Sequence, residues 1–262
     1  MKKKLQKNDM PSLFDKRTSA WVMPPEMRKE LDEAVQESVD TLNENIEKTM
    51  EKRAKILKDA NMKKKIWFIR HGESLANADE NFKSDSFGGR SISLSERGEK
   101  QAEELLKHFS DAPDLLITSP YVRTKETAKP LTSKYPDIQH EEWPIHEFTY
   151  LSRKRCQNTT FLDREPWKDE YWEKSNPEHR DGDGAESFID FMERVRDTIE
   201  KIKKRNENFI VLFSHNYTIV AIKYILERNP KEITPEVMRD FKKYFKANPI
   251  PNATKVEISL NK

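Results

Sequence analysis

Two arginines, two histidines and an asparagine stand where they could act together. Arg70-His71-Gly72 follows the short apolar run IWFI at 66–69, with Asn77 a few residues on. Ser214-His215-Asn216 follows a second run, FIVLF at 209–213, and Arg123 lies shortly after a third, LLI at 115–117. Short runs of this kind, rich in β-forming residues, read as buried strands. If the strands are parallel neighbours, the residues just past their carboxyl ends meet at one edge of the sheet, where such folds bind ligands.

Gathered there, these side chains make an anion site. Guanidinium groups stay charged and present a planar fork of donors. A transferring phosphoryl group spreads negative charge over three oxygens, and its stabilisation is almost wholly positional and electrostatic. Arg70 and Arg123 suit that role, Asn77 adds an amide donor, and a protonated His215 would add another. His71 can attack phosphorus if its reacting nitrogen is neutral and the other is held as a donor, as by a backbone carbonyl. Gly72 is expected to let the backbone turn tightly behind it. A leaving alkoxide also needs an acid.

The elements that must position these groups can be traced along the chain. Residues 95–109 read as a helix capped by Ser95. Ser119-Pro120 reads as the start of a helix that should kink or end near Pro130. Residues 138–148 suggest a strand, 150–185 a loop region with a short helix near 167–174, 187–204 an amphipathic helix and 255–260 a final strand. The alternation of strands and helices predicts a three-layer α/β/α fold with a mostly parallel central sheet.

The segment IWFIRHGESLAN at 66–77 resembles the signature of the histidine phosphatase superfamily, phosphoglycerate mutase-like branch. LSERG at 94–98, SPYVRTKETA at 119–128, GAES at 184–187 and Ser214-His215 resemble further motifs of that family, and the likeness covers roughly residues 64–260. The resemblance implies a metal-independent phosphatase with no cofactor. It puts the nucleophile on His71, the phosphate pocket on Arg70, Asn77, Arg123 and His215, and the proton donor on Glu147. Asn216 stands where the family usually has glycine; asparagine tolerates the left-handed conformation, so a turn there could survive. The segment EFTYL at 147–151 differs from that of the mutases and favours hydrolysis over phosphoryl return. A mutase-like isomerase and a non-catalytic phosphate-binding scaffold remain as alternatives. Within an insertion at about 149–185, Arg153 and Arg155 are candidates for a second anionic group of a small phosphorylated substrate, and Arg90 is another.

Outside this domain, expected over 63–262, residues 1–62 form an extension. Residues 1–23 read as irregular. The glycine-free and proline-free stretch 26–60, with Pro25 at its start, reads as one long helix. Its apolar positions Leu31, Val35, Val39, Leu42, Ile46, Met50 and Ile56 make a single stripe. That stripe could be covered by the rest of the chain, by a second copy to form a homodimer, or by a partner. The 262 residues carry 48 Lys+Arg against 46 Asp+Glu, so the balance of +2 gives no reason to expect nucleic acid. The single cysteine, Cys156, cannot form an internal disulfide. No membrane span or secretory signal is read, and the expected location is cytoplasmic.

Overall fold

The structure is a computed structural model that describes residues 14–15, 20–21, 23–60, 64–83 and 89–260. The chain divides into two compact units, Met1–Met62 and Lys63–Lys262. In the first, β1 (Phe14–Asp15) pairs antiparallel with β2 (Ala20–Trp21). The described part of the segment expected to be irregular is thus a short ladder. Helix α1 runs over Pro25–Ala60, and Leu31, Val35, Val39, Leu42, Ile46 and Met50 are all exposed on it. The side chain of Ile56 lies outside the described residues.

The second unit is built on a five-stranded sheet in the order β5-β4-β6-β3-β7. These strands are β3 (Lys65–Arg70), β4 (Leu115–Thr118), β5 (Gln139–Glu142), β6 (Phe209–Ser214) and β7 (Lys255–Ile258). All neighbours are parallel except β7, which runs antiparallel to β3. Successive strand side chains face opposite sides, so a sheet covered on both faces needs unbroken apolar strands. On one face Ile66, Phe68, Ile117, Ile210 and Leu212 pack against α7 (Phe188–Lys203), α8 (Asn216–Arg228) and α9 (Pro235–Ala247). On the other, Trp67, Ile69, Leu116, Val211 and Phe213 meet residues of α4 (Val122–Lys134) and the turn after α3 (Glu96–Glu104), the helix that follows the one-turn α2 (Leu75–Ala78). Phe68 is fully buried; truncation to alanine would cost about 3–5 kcal/mol.

Several local expectations are corrected. Helix α4 begins at Val122, not behind a Ser119 cap, and it continues through Pro130 to Lys134. The strand expected over 138–148 is only Gln139–Glu142, because β4, its partner, ends at Thr118 opposite Glu142. Two short helices shape the insertion: α5 (Arg153–Cys156) and α6 (Phe161–Lys174). The latter starts six residues before the expected 167 because Thr160 and Asp163 form a reciprocal cap. Gly72 is not in a left-handed turn. Its role is close approach: a Cβ there would lie 2.6 Å from the carbonyl oxygen of Gly98, and one on Gly98 would lie 2.0 Å from that of Glu73. Asn216 needs no left-handed turn either, since it is the first residue of α8.

Candidate active site

The parallel register places Arg70 beside Ser214 at the ends of β3 and β6, with Ser119 just beyond β4. The residues that follow these strand ends converge as expected. A cavity of about 300 Å³ lies over this edge, lined by Arg70, His71, Asn77, Tyr121, Arg123, Glu147 and Arg153, among others.

At its floor, His71 is 3% exposed. Its Nδ1 lies 2.6 Å from the carbonyl oxygen of its neighbour Gly72, and its Nε2 lies 3.1 Å from Nε of Arg123. A carbonyl only accepts and a guanidinium only donates. Nδ1 therefore carries the proton and Nε2 the lone pair. Burial, and after it the charge of Arg123, hold the imidazole well below its ordinary pKa, so it is neutral near pH 7. A neutral imidazole with its lone pair at the cavity can act as a nucleophile once Arg123 releases that lone pair.

Arg123 is the hub. Besides His71 it donates from Nη1 to the carbonyl of Gly89 at 2.8 Å and from Nη2 to Nδ1 of His215 at 3.1 Å, and its guanidinium lies 4.8 Å from the centre of the Tyr121 ring. Burial lowers its pKa to about 10, which still leaves it charged. Arg70 donates to the carbonyl of Ile250 at 2.5 Å.

His215 departs from the expected role. It is fully buried behind Arg123 and does not line the cavity. Its Nδ1 accepts from Arg123, so Nε2 must donate to Oγ of Ser119, 2.8 Å away. Burial, then the charge of Arg123, keep it neutral. It is thus no cationic donor: its geometry orients Arg123. Ser119, read as a helix cap, is instead the acceptor that fixes this ring.

Glu147 also lines the cavity. Its Oε1 accepts from the backbone N–H of Phe148 at 3.2 Å and of Tyr217, in the first turn of α8, at 2.9 Å. Burial raises its pKa, opposed by Arg123 and Arg70. The loop that bears it is clamped from α7. Arg194 donates to the carbonyls of Pro144 at 2.7 Å and His146 at 3.2 Å, and it pairs through Nε with Glu186 at 2.6 Å. Glu186 in turn accepts from the Thr149 backbone at 3.2 Å and hydroxyl at 3.1 Å. Glu147 is held on both sides.

At the mouth only part of the expected cation set is present. Arg153 lines the cavity, but Arg155 does not: it pairs with Asp181 at 2.6 Å and lies over the Trp167 ring. Arg90 is exposed and off the cavity wall. Sequence reasoning missed Arg164 and Lys168, which line the mouth from α6. Their spacing of four puts them on one helix face, a signal available once the helix is placed from 161. Among the described residues, no three His, Cys, Asp or Glu side chains gather as a metal-binding group, and no helix is long and apolar enough to cross a membrane.

The family model of the histidine phosphatase superfamily (branch 1) matches residues 66–239. The chain belongs to that superfamily. A Saccharomyces cerevisiae protein named fructose-2,6-bisphosphatase is 30% identical over 207 residues, a match covering 74% of this chain and 41% of the yeast protein. The chain thus spans about two fifths of that relative. Among solved structures, the α-ribazole phosphatase of Shigella flexneri superposes with a TM-score of 0.56 at 21% identity, covering 75% of this chain and 91% of that one. A mycobacterial glucosyl-3-phosphoglycerate phosphatase gives 0.56 at 18% identity, covering 75% and 90%. At such identities these structures establish the shared fold.

Proposed function

We propose that the protein is a phosphoric monoester hydrolase that works through a phosphohistidine on His71. The observation that carries this reading is the fixed tautomer: Nδ1–H is tied to the Gly72 carbonyl, which leaves the Nε2 lone pair at a cavity flanked by two guanidinium groups. In the first step that lone pair forms a bond to phosphorus. Arg123 shifts its donors onto the phosphoryl oxygens, with Arg70 and Asn77 beside it. The ester P–O bond breaks, and Glu147 gives its proton to the leaving oxygen. In the second step water attacks phosphorus and loses its proton to the Glu147 carboxylate. The P–N bond then breaks, and neutral His71 and protonated Glu147 are restored. His215 acts through Arg123.

The mouth argues for a substrate with a second anionic group. Arg153, Arg164 and Lys168 surround it, while Lys168 is paired with Glu165 on its own helix. The yeast relative is named for a bisphosphate, which fits two anionic ends. A small phosphorylated metabolite fits a cavity of about 300 Å³. We also propose that α1 pairs with a second copy of the chain. Its exposed stripe, 31, 35, 39, 42, 46 and 50, repeats with spacings of 4-4-3-4-4, and Ser38, Asn43 and Thr49 beside it are uncharged, so two copies can meet over its middle and later part without burying ionic groups, the charged Asp32 lying at its start.

The test is phosphate release from a panel of phosphomonoesters and sugar bisphosphates in the presence of EDTA, for wild type and His71→Ala. The expected result is release that survives EDTA, with a loss of at least about a thousandfold in the variant. A variant that keeps a tenth of the activity would exclude the phosphohistidine.

A further inference from the structure

The segment 250–254 lies outside the residues that match the family model, yet it grips the floor of the site. The carbonyl of Ile250 accepts from Arg70 Nη1, and that of Thr254 accepts from the Arg70 backbone N–H at 3.1 Å. Ala253 N–H donates to the His71 carbonyl at 3.1 Å, from a residue with φ of +53°, a conformation a non-glycine residue rarely adopts. Between them stands Asn252. Its Nδ2 reaches three oxygens: the carbonyl of His71 at 3.1 Å, the carbonyl of Gly72 at 3.3 Å and Oδ1 of Asn77 at 3.2 Å.

These partners decide which way both amides point. The two carbonyls can only accept, so the atom of Asn252 that faces them must be its NH2 group. The atom of Asn77 that meets this NH2 must then be an acceptor, its oxygen. The backbone N–H of Ser74 reaches the same oxygen at 3.4 Å, a long bond with little hold of its own. With its oxygen tied back, Asn77 turns its own NH2 the other way, and Asn77 lines the cavity. The Gly72 carbonyl that Asn252 touches is also the one that holds Nδ1–H of His71.

We propose that Asn252 is a positioning residue of the active site, which sets the amide of Asn77 so that a donor, not an acceptor, meets the bound phosphoryl group. The inference rests on the reading of this cavity as a phosphate site. Without Asn252 only the long bond from the Ser74 N–H holds the amide of Asn77 in this sense, and a turned amide would put its oxygen toward the anion. The grip is also the physical reason for the strained Ala253: the chain must turn there to bring both a side-chain and a backbone donor onto His71.

A double-mutant cycle tests this. Binding of orthovanadate and of inorganic phosphate is measured by titration calorimetry on wild type, Asn252→Ala, Asn77→Ala and the double variant. Circular dichroism and thermal melting check the fold of each. Binding needs no turnover, so it separates the role of Asn252 from any effect on chemistry. Loss of a hydrogen bond to a charged ligand should weaken binding by about tenfold in each single variant. The double variant should be no weaker than Asn77→Ala, because Asn252 acts through Asn77. Additive losses, or unchanged affinity in a folded Asn252→Ala, would overturn the proposal. If the alanine variant does not fold, Asn252→Ser, which keeps a hydroxyl donor, takes its place in the same cycle under the same criteria. A wild type that binds neither anion would remove the phosphate reading of the cavity, and this proposal with it.

Discussion

The floor and the mouth of the cavity are built in different ways. At the floor His71, Arg123, His215 and Ser119 form one chain of hydrogen bonds, and Asn252 ties in Asn77. His71, Ser119, Arg123 and His215 are buried at or just past strand ends, while Asn252 is partly buried and Asn77 exposed. At the mouth Arg164, Lys168 and Phe161 stand on a surface helix, and Phe161 is about half exposed. The floor is held in place by hydrogen bonds before a reacting group arrives, with its guanidinium charge already fixed there, and fixed charge at the reacting centre is what lowers a barrier most. The mouth is made of long side chains in water, where each ion pair contributes little and geometry is loosely held. On the proposed reading, the difference separates the reaction, at the floor, from substrate choice, at the mouth.

The strongest way to break that comparison is at the hub. Arg123→Ala removes a charged donor from the phosphoryl group and unties both His71 and His215. It should lower kcat by about a thousandfold, for every ester alike. Steady-state kinetics on a sugar bisphosphate and on p-nitrophenyl phosphate would show it. A loss confined to the bisphosphate would mean that Arg123 belongs to the mouth.

Next comes Glu147→Gln. Loss of the acid should slow an alkyl phosphate by roughly a hundredfold or more and p-nitrophenyl phosphate far less, since nitrophenolate leaves without a proton. The pH profile sharpens the point. His71 must be neutral to attack, and its pKa is depressed, so activity is present above that value and lost below it. Glu147 must be protonated to donate, and its pKa is raised, so activity is present below that value and lost above it. The alkaline limb should disappear in Glu147→Gln while the acid limb stays. A limb that persists in the variant would belong to another group.

The same contrast explains what the sequence disclosed. The runs at 66–69, 115–117 and 209–213 were legible because strands buried on both faces cannot alternate, and the parallel reading brought Arg70, His71 and Arg123 to one edge. Ser119 was misread because a serine before a proline makes a good cap, while its partner His215 lies 96 residues away. His215 would be a cationic donor only if protonated, and only packing shows that Arg123 already occupies its Nδ1. Asn252 carried no signal, since its contacts reach back 175 to 181 residues. The mouth was read only in part: Arg155 looked as available as Arg153 until Asp181 was seen to hold it.

A smaller effect is expected at the mouth itself. Arg164→Ala and Lys168→Ala should each raise KM for a bisphosphate by about tenfold and leave kcat and the kinetics of p-nitrophenyl phosphate near wild type. Equal changes on both substrates would show that α6 supports the floor after all.

The least effect on turnover is expected from α1. Its stripe is apolar and exposed, whereas the apolar strand faces of the second unit are buried. Leu42→Glu combined with Ile46→Glu puts two charges in the middle of the stripe without disturbing helix propensity much. If two copies pair there, light scattering on the wild-type chain gives the mass of a dimer and the variant that of a monomer, each with its kcat unchanged. A wild-type mass equal to one chain would exclude the pairing. A monomeric variant with reduced kcat would show that pairing supports the site, and would tie together two units that the chemistry treats as independent.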